Sequence, residues 1–251
     1  MNDRELLDQY LNGEREAAFE ELVRRYHRMV YATALRVAID RQLAEDVSQN
    51  VFLTLCRKAA TIPTRTVLSG WLFMTATHLA RNARRAHLRQ MARERDLNMA
   101  ALQPSQSRGD SRESTWQEIQ PHIDACIAAL PPRQRDAVVM RLVLQRSPEE
   151  CAAELKCSEN ALSMRLNRGV ETLRARLHRK QIPVSASALS AMLVQNSIPE
   201  SLPAAALKAG TLPAPASSSK TLTWVGSGAA AAAVTAAILV ASLSLGTSLN
   251  D

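Results

Sequence analysis

The chain has 251 residues, 46% hydrophobic but only 4% aromatic, with eight glycines, a net charge of +7 and a pI near 9.7. That length admits two small domains or one medium domain with appendages. An Ala-, Leu- and Arg-rich composition with few β-branched runs argues for an all-helical protein, and the basic balance points to nucleic acid or an anionic membrane. The cysteines (Cys56, Cys126, Cys151, Cys157) form no CxxC pair and have no histidine at zinc-ligand spacing, so they read as buried thiols of a cytosolic protein.

The N-terminus, MNDRELLDQYLNGERE, is charged and lacks the apolar core of a secretory signal. Beyond it, Ala18, Phe19, Leu22, Val23, Tyr26, Val30, Ala34 and Val37 recur at three- and four-residue steps, the stripe of an amphipathic helix. A second stripe runs Ala44, Val47, Val51, Leu55, and a third Leu72, Ala76, Leu79, Ala83, Ala86. No single helix can bury its stripe alone, so residues 1–100 are expected to form a small helical bundle.

Opposite the third stripe, at 100° per residue, stand His78, Arg81, Asn82, Arg85 and Arg89. Arginine grips phosphate through charge-assisted bonds, and asparagine can read a base edge or an unstacked base. Trp71 and Phe73, at the start of that helix, supply packing or stacking. The competing reading is a merely solvated arginine-rich surface.

Residues 101–117 have the composition of a flexible linker. A second domain, 118–180, follows. In it LPPRQRD (130–136) starts a helix at a Pro-fixed turn, and Ser147-Pro-Glu-Glu150 is a capping box with Pro at the first helical position. A short helix to Leu155, a break at Lys156-Cys157 and a longer helix capped by Ser158 give the helix-turn-helix layout. The longer helix is expected to bury Leu162, Leu166, Val170, Leu173 and Leu177. Its other face presents Asn160, Met164, Asn167 and Arg168, flanked by Ser163 and Arg165. Asn pairs with adenine, Arg with guanine, and methionine can touch a thymine methyl.

Residues 181–222 form an extension, with Ala188, Leu189, Met192, Leu193 and Leu202 suggesting a short amphipathic helix pair. From 221 to 250 no residue is charged, and 223–249 is expected to be a hydrophobic transmembrane helix. The competing reading is an alanine-rich surface tail.

The chain resembles the extracytoplasmic-function sigma factors of the sigma-70 family over residues 15–178, leaving out the linker. The resemblance is carried in order by FEELVRRYHRMVYATAL (19–35), AEDVSQNVFLTLCRKA (44–59), GWLFMTATHLARNARR (70–85), LPPRQRDAVVMRL (130–142) and SPEECAAELKCSENALSMRLNRGVETLRARL (147–177). It implies two helical domains, regions 2 and 4, and core RNA polymerase and promoter DNA as partners. Asp46, Gln49, Asn50 and Phe52 fall on the family's polymerase-gripping motif, with Asn50 in place of the usual Glu. His78 to Arg89 look like the reader of the −10 element. Ser158, Asn160, Ser163, Met164, Arg165, Asn167 and Arg168 look like the reader of the −35 element. Ser163 and Met164 stand where Lys or Arg followed by Ser is usual, His78 where Asn is common, and Lys156 in place of a turn glycine.

The resemblance thus implies a sigma factor, with an anti-sigma factor, another membrane protein or the membrane itself as further candidate partners. The rival reading is a membrane-anchored one-component helix-turn-helix regulator. The 44–59 motif argues against it, because such a regulator needs no grip on polymerase. No nucleophile elbow, glycine-rich phosphate loop, carboxylate cluster or metal spacing is present, so no enzyme, cofactor or metal site is expected.

Overall fold

The computed structural model describes residues 1–13, 15–97 and 116–196, and every regular element among them is helical. Most of the expected linker, the second helix of the 182–210 pair and the span expected at 223–249 lie outside the described residues. None of the described helices is long and apolar enough to cross a membrane.

Helix α1 (Asp3–Asn12) opens on a capping box. Asn2 Oδ1 accepts from the Glu5 amide at 2.9 Å, and the Glu5 carboxylate accepts from the Asn2 amide at 2.8 Å. Gly13, at φ 127°, lets the chain turn into α2 (Arg15–Ala38). Helix α3 (Arg41–Lys58) starts at the Asp40 cap, and α4 (Leu68–Leu97) follows a 3₁₀ turn at Ala59–Thr61. The predicted stripes of α2 and α3 are buried, except for a partly exposed Val37.

The stripe of α4 is rotated from the expected one. Leu72, Phe73, Ala76, Thr77 and Ala80 are buried, whereas Leu79, Ala83 and Ala86 are only partly so. Phe73 is therefore a core residue and not a stacking platform. The cysteines also divide: Cys126 and Cys151 are buried, but Cys56 and Cys157 are half-exposed, and all four are free thiols.

The second half comprises α5 (Trp116–Ala128), α6 (Pro132–Val138), α7 (Pro148–Glu154), α8 (Glu159–His178) and α9 (Ala186–Asn196). Helix α6 runs on into a π turn, Val139–Val143, where the Leu144 amide donates to the Val139 carbonyl at 2.9 Å. Gly169 lets α8 approach α6 closely, since a Cβ there would lie 2.8 Å from Val138 Cγ2.

The two halves pack on each other, which periodicity did not announce. The Arg36 guanidinium of α2 makes a two-pronged ion pair with Asp124 of α5, each bond 2.9 Å, and both residues are buried. Removing either partner from such a pair leaves a dry unpaired charge, a cost of about 3–5 kcal/mol.

Candidate nucleic-acid interface

The helix-turn-helix is held by the punctuation expected of it. Ser147 Oγ accepts from the Glu150 amide at 3.2 Å, and Glu150 Oε2 accepts from the Ser147 amide at 3.0 Å. Helix α7 then closes with the Cys157 amide donating to the Ala152 carbonyl (3.0 Å) and the Lys156 amide to Ala153 (3.2 Å). That is a Schellman closure, with Lys156 in the left-handed position at φ 47°. Here the side chain that replaces glycine sits in the conformation glycine favours.

The turn aims α8 outward. Ser158 Oγ accepts from the Ala161 amide at 3.2 Å, so its hydroxyl is engaged as the helix cap. Asn160, Ser163, Met164, Asn167 and Arg168 are all exposed, and Arg165 is half-buried. Met164 is a large apolar side chain left 54% exposed. Of the expected inward stripe, Leu162, Val170, Leu173 and Leu177 are buried and Leu166 is half-buried. Leu166 and Asn167 border a shallow groove of about 270 Å³ whose far side is Ala186, Ser187 and Ser190 of α9. Sequence reasoning left α9 without a purpose; the structure sets it beside the expected reading helix.

On α4, His78, Asn82, Arg85 and Arg89 are exposed along one side, and Arg81 is half-buried. Asn82 Nδ2 lies 3.1 Å from His78 Nε2, so these two side chains are already paired with each other. Arg89 Nε donates to the Arg85 carbonyl at 3.3 Å. The five expected residues thus share one helix and one side of it, with Arg81 turned towards α5.

On α3, Asp46, Gln49 and Asn50 are exposed in one row. Though its side chain reaches solvent, the protein around Asp46 strips part of its hydration, and this first, then the Asp40 charge, pushes its carboxyl up from its ordinary value. Phe52 does not belong to that row. It is fully buried and meets Phe19 edge to face, ring centroids 6.3 Å apart. Its place in the motif is as a core anchor of α3, because a bulky aromatic three turns into the helix is buried with Ala44, Val51 and Leu55.

Among the described residues no group of His, Cys, Asp and Glu could hold a metal ion. The ionisable cluster that does form joins both halves. Tyr26 donates to Asp3, and Arg146 donates to the Tyr26 hydroxyl at 2.6 Å and pairs with Glu154 at 3.2 Å. Burial first, then the Asp3 charge, pushes the Glu154 carboxyl up to about 7, against the opposing pull of Arg146.

Residues 22–90 match the family described as Sigma-70 region 2, and residues 122–173 that described as Sigma-70, region 4. The chain is 30% identical over 179 residues to RNA polymerase sigma factor CarQ of Myxococcus xanthus, covering 71% of this chain and 99% of that one. It is 30% identical over 162 residues to ECF RNA polymerase sigma factor SigE of Mycolicibacterium smegmatis, covering 62% of this chain and 60% of that one. Among solved structures it is similar to CnrH in complex with the cytosolic domain of CnrY, at 22% identity and a TM-score of 0.35, over 70% of this chain and 97% of that one. The chain belongs to the sigma-70 family as an extracytoplasmic-function sigma factor, a DNA-binding protein of transcription initiation.

Proposed function

We propose that this sigma factor docks on core RNA polymerase through the exposed edge of α3 and carries it to promoters that it reads with α4 and α8. The observation that carries the reading is the exposure of three separate polar rows, each on its own helix. Asp46, Gln49 and Asn50 lie on α3, His78 to Arg89 on α4, and Asn160 to Arg168 on α8. Each row has its own chemistry: an acid-bearing edge for a protein partner, arginines with an amide for the −10 element, and amides with one arginine for the −35 element.

In the major groove, Arg168 is placed to grip a guanine edge and Asn160 or Asn167 an adenine, while Met164 suits a thymine methyl. The Arg85 and Arg89 guanidinium groups suit phosphate, with the paired His78 and Asn82 offered to bases. Reversing Asp46 to Lys tests the docking edge: capture of core polymerase should be lost while the helical content and melting temperature stay unchanged. Unchanged capture would place the docking face elsewhere.

The uncharged residues 221–250 support a further part of the reading, a single membrane tether that keeps residues 1–180 on the cytoplasmic side, where an anti-sigma factor or another membrane protein could meet it. Fractionation of the full chain beside one ending at Gln181 tests this. Recovery of both in the soluble fraction would exclude the tether.

A further inference from the structure

Helix α2 ends at Ala38 and α3 begins at Arg41, so Ile39 and Asp40 alone make the corner between them. Asp40 caps α3, its Oδ1 accepting from the Leu43 amide at 2.7 Å. Ile39 closes α2, its amide donating to the Leu35 carbonyl at 2.8 Å with φ at 70°. That left-handed conformation suits glycine and is tolerated by asparagine. For a β-branched side chain it is an outlier, because Cβ crowds the following carbonyl. Among the described residues, Gln145, Lys156 and Gln181 also hold positive φ, but all three are polar. Ile39 is moreover 67% exposed, more than any other large apolar side chain among the described residues. Neither the turn nor the core accounts for an isoleucine here: the backbone disfavours it, and packing leaves two thirds of it in water.

The corner leads directly into the docking helix. The exposed row of α3 is polar (Asp46, Gln49, Asn50), whereas Val47, Val51, Phe52 and Leu55 are buried, and no large apolar side chain of α3 is exposed. A stable protein interface has an apolar anchor, fully desolvated on binding, inside a polar rim. The α3 row supplies rim and no anchor, and Ile39 stands at its N-terminal end. Asp40 and Arg41 beside it are both exposed, and the Asp40 charge reaches Asp46, so corner and row form one surface. Asp40, Glu45 and Asp46 outnumber Arg41 there, which favours a partner surface rich in cations.

We infer that Ile39 is the apolar anchor of the polymerase-docking surface, held in a strained turn so that it seats in an apolar hollow of core RNA polymerase rimmed by cations. The inference rests on the assignment of the α3 edge to core polymerase. It gives the strain a use: the free chain gives up stability at the corner and recovers it when the isoleucine leaves water. Affinity and stability are then set against each other at this one position.

The test uses the full chain with Ile39→Gly, Ile39→Asn and Ile39→Leu, beside Asp46→Lys. Thermal melts read stability, and fluorescence anisotropy of the labelled chain titrated with core polymerase reads the dissociation constant at two salt concentrations. Ile39→Gly should raise the melting temperature by roughly 2–4 °C, with Ile39→Asn raising it less. Both should weaken polymerase binding by about tenfold, the effect of leaving most of an isoleucine unburied. Ile39→Leu, which keeps the apolar bulk, should stay within about threefold of the wild type. The loss in Ile39→Gly should persist at high salt, whereas that in Asp46→Lys should shrink. Unchanged binding by the Gly and Asn variants, with Asp46→Lys still defective, would overturn the inference and leave the docking edge standing. Lower melting temperatures together with a loss that Ile39→Leu shares would assign Ile39 to the fold and overturn it as well. Full binding by Asp46→Lys beside a defective Ile39→Asn would instead refute the polar edge and keep the anchor. Full binding by all four variants would refute both.

Discussion

Replacing Lys156 with Gly should stabilise the protein without altering what α8 reads. Lys156 is exposed, holds φ 47° and closes α7 through its own amide and that of Cys157. A side chain in the left-handed region costs roughly 1–2 kcal/mol because Cβ crowds the following carbonyl. Glycine removes that cost but gives back about 0.5–1 kcal/mol through the greater freedom of the unfolded chain. The net gain is about 0.5–1 kcal/mol, which in a body of this size raises the melting temperature by roughly 1–4 °C. Asparagine, which tolerates the same region, should give a smaller gain, and alanine none. Thermal melts followed by circular dichroism measure this, with urea midpoints as a second scale. A glycine variant that melts at or below the wild-type temperature would refute the claim that the turn is strained. A changed promoter preference would show that Lys156 itself touches DNA.

The two DNA surfaces should respond differently. Arg168→Ala is expected to relax discrimination at one −35 position, by about 1–3 kcal/mol, whereas Arg85→Ala should weaken binding to every promoter and reduce the salt slope by about one counterion. Binding measured across salt on a set of single-base variants separates them, and equal, sequence-independent losses from both would refute the division. The Glu154 carboxyl, raised from its ordinary 4.5 to about 7 in the folded state, holds its proton longer when folded. Its contribution to stability is therefore full below about 4.5 and is lost as the pH rises through about 7. The melting temperature should fall between pH 5 and pH 8, and Glu154→Gln should flatten that fall. An identical slope in the variant would place the titration on other groups.

Helices whose stripes repeat cleanly were legible from spacing alone. Ala44, Val47, Val51 and Leu55 are all buried, and the Ser147 and Ser158 caps sit where their sequences announce them. Helix α4 was misregistered because alanine and threonine mark no side strongly, and because its first half is enclosed by both halves of the protein. Thus Thr77 and Ala80 are buried where Leu79 was expected. Phe52 was placed on the docking edge because a motif gives positions and not orientations; its inward direction follows from Phe19 standing opposite. The packing of the two halves was illegible for a different reason. Periodicity reports one helix at a time, and this contact depends on a buried arginine in α2 meeting an aspartate 88 residues away. An arginine within the otherwise apolar run VYATALRVA was the available signal, since a charge in such a stretch needs a buried partner. Helix α1 carried a readable one too, the Asn2–Glu5 capping box.

Run-off transcription by purified core polymerase on a promoter library, with and without the full chain, tests the central claim most directly. The account predicts chain-dependent transcripts whose selected promoters share one element near −10 and another near −35. It further predicts that Asp46→Lys abolishes all of these transcripts while Arg168→Ala changes only the −35 element. Transcripts that do not depend on the chain, or selected promoters sharing a single binding motif at variable distance from the start, would contradict it.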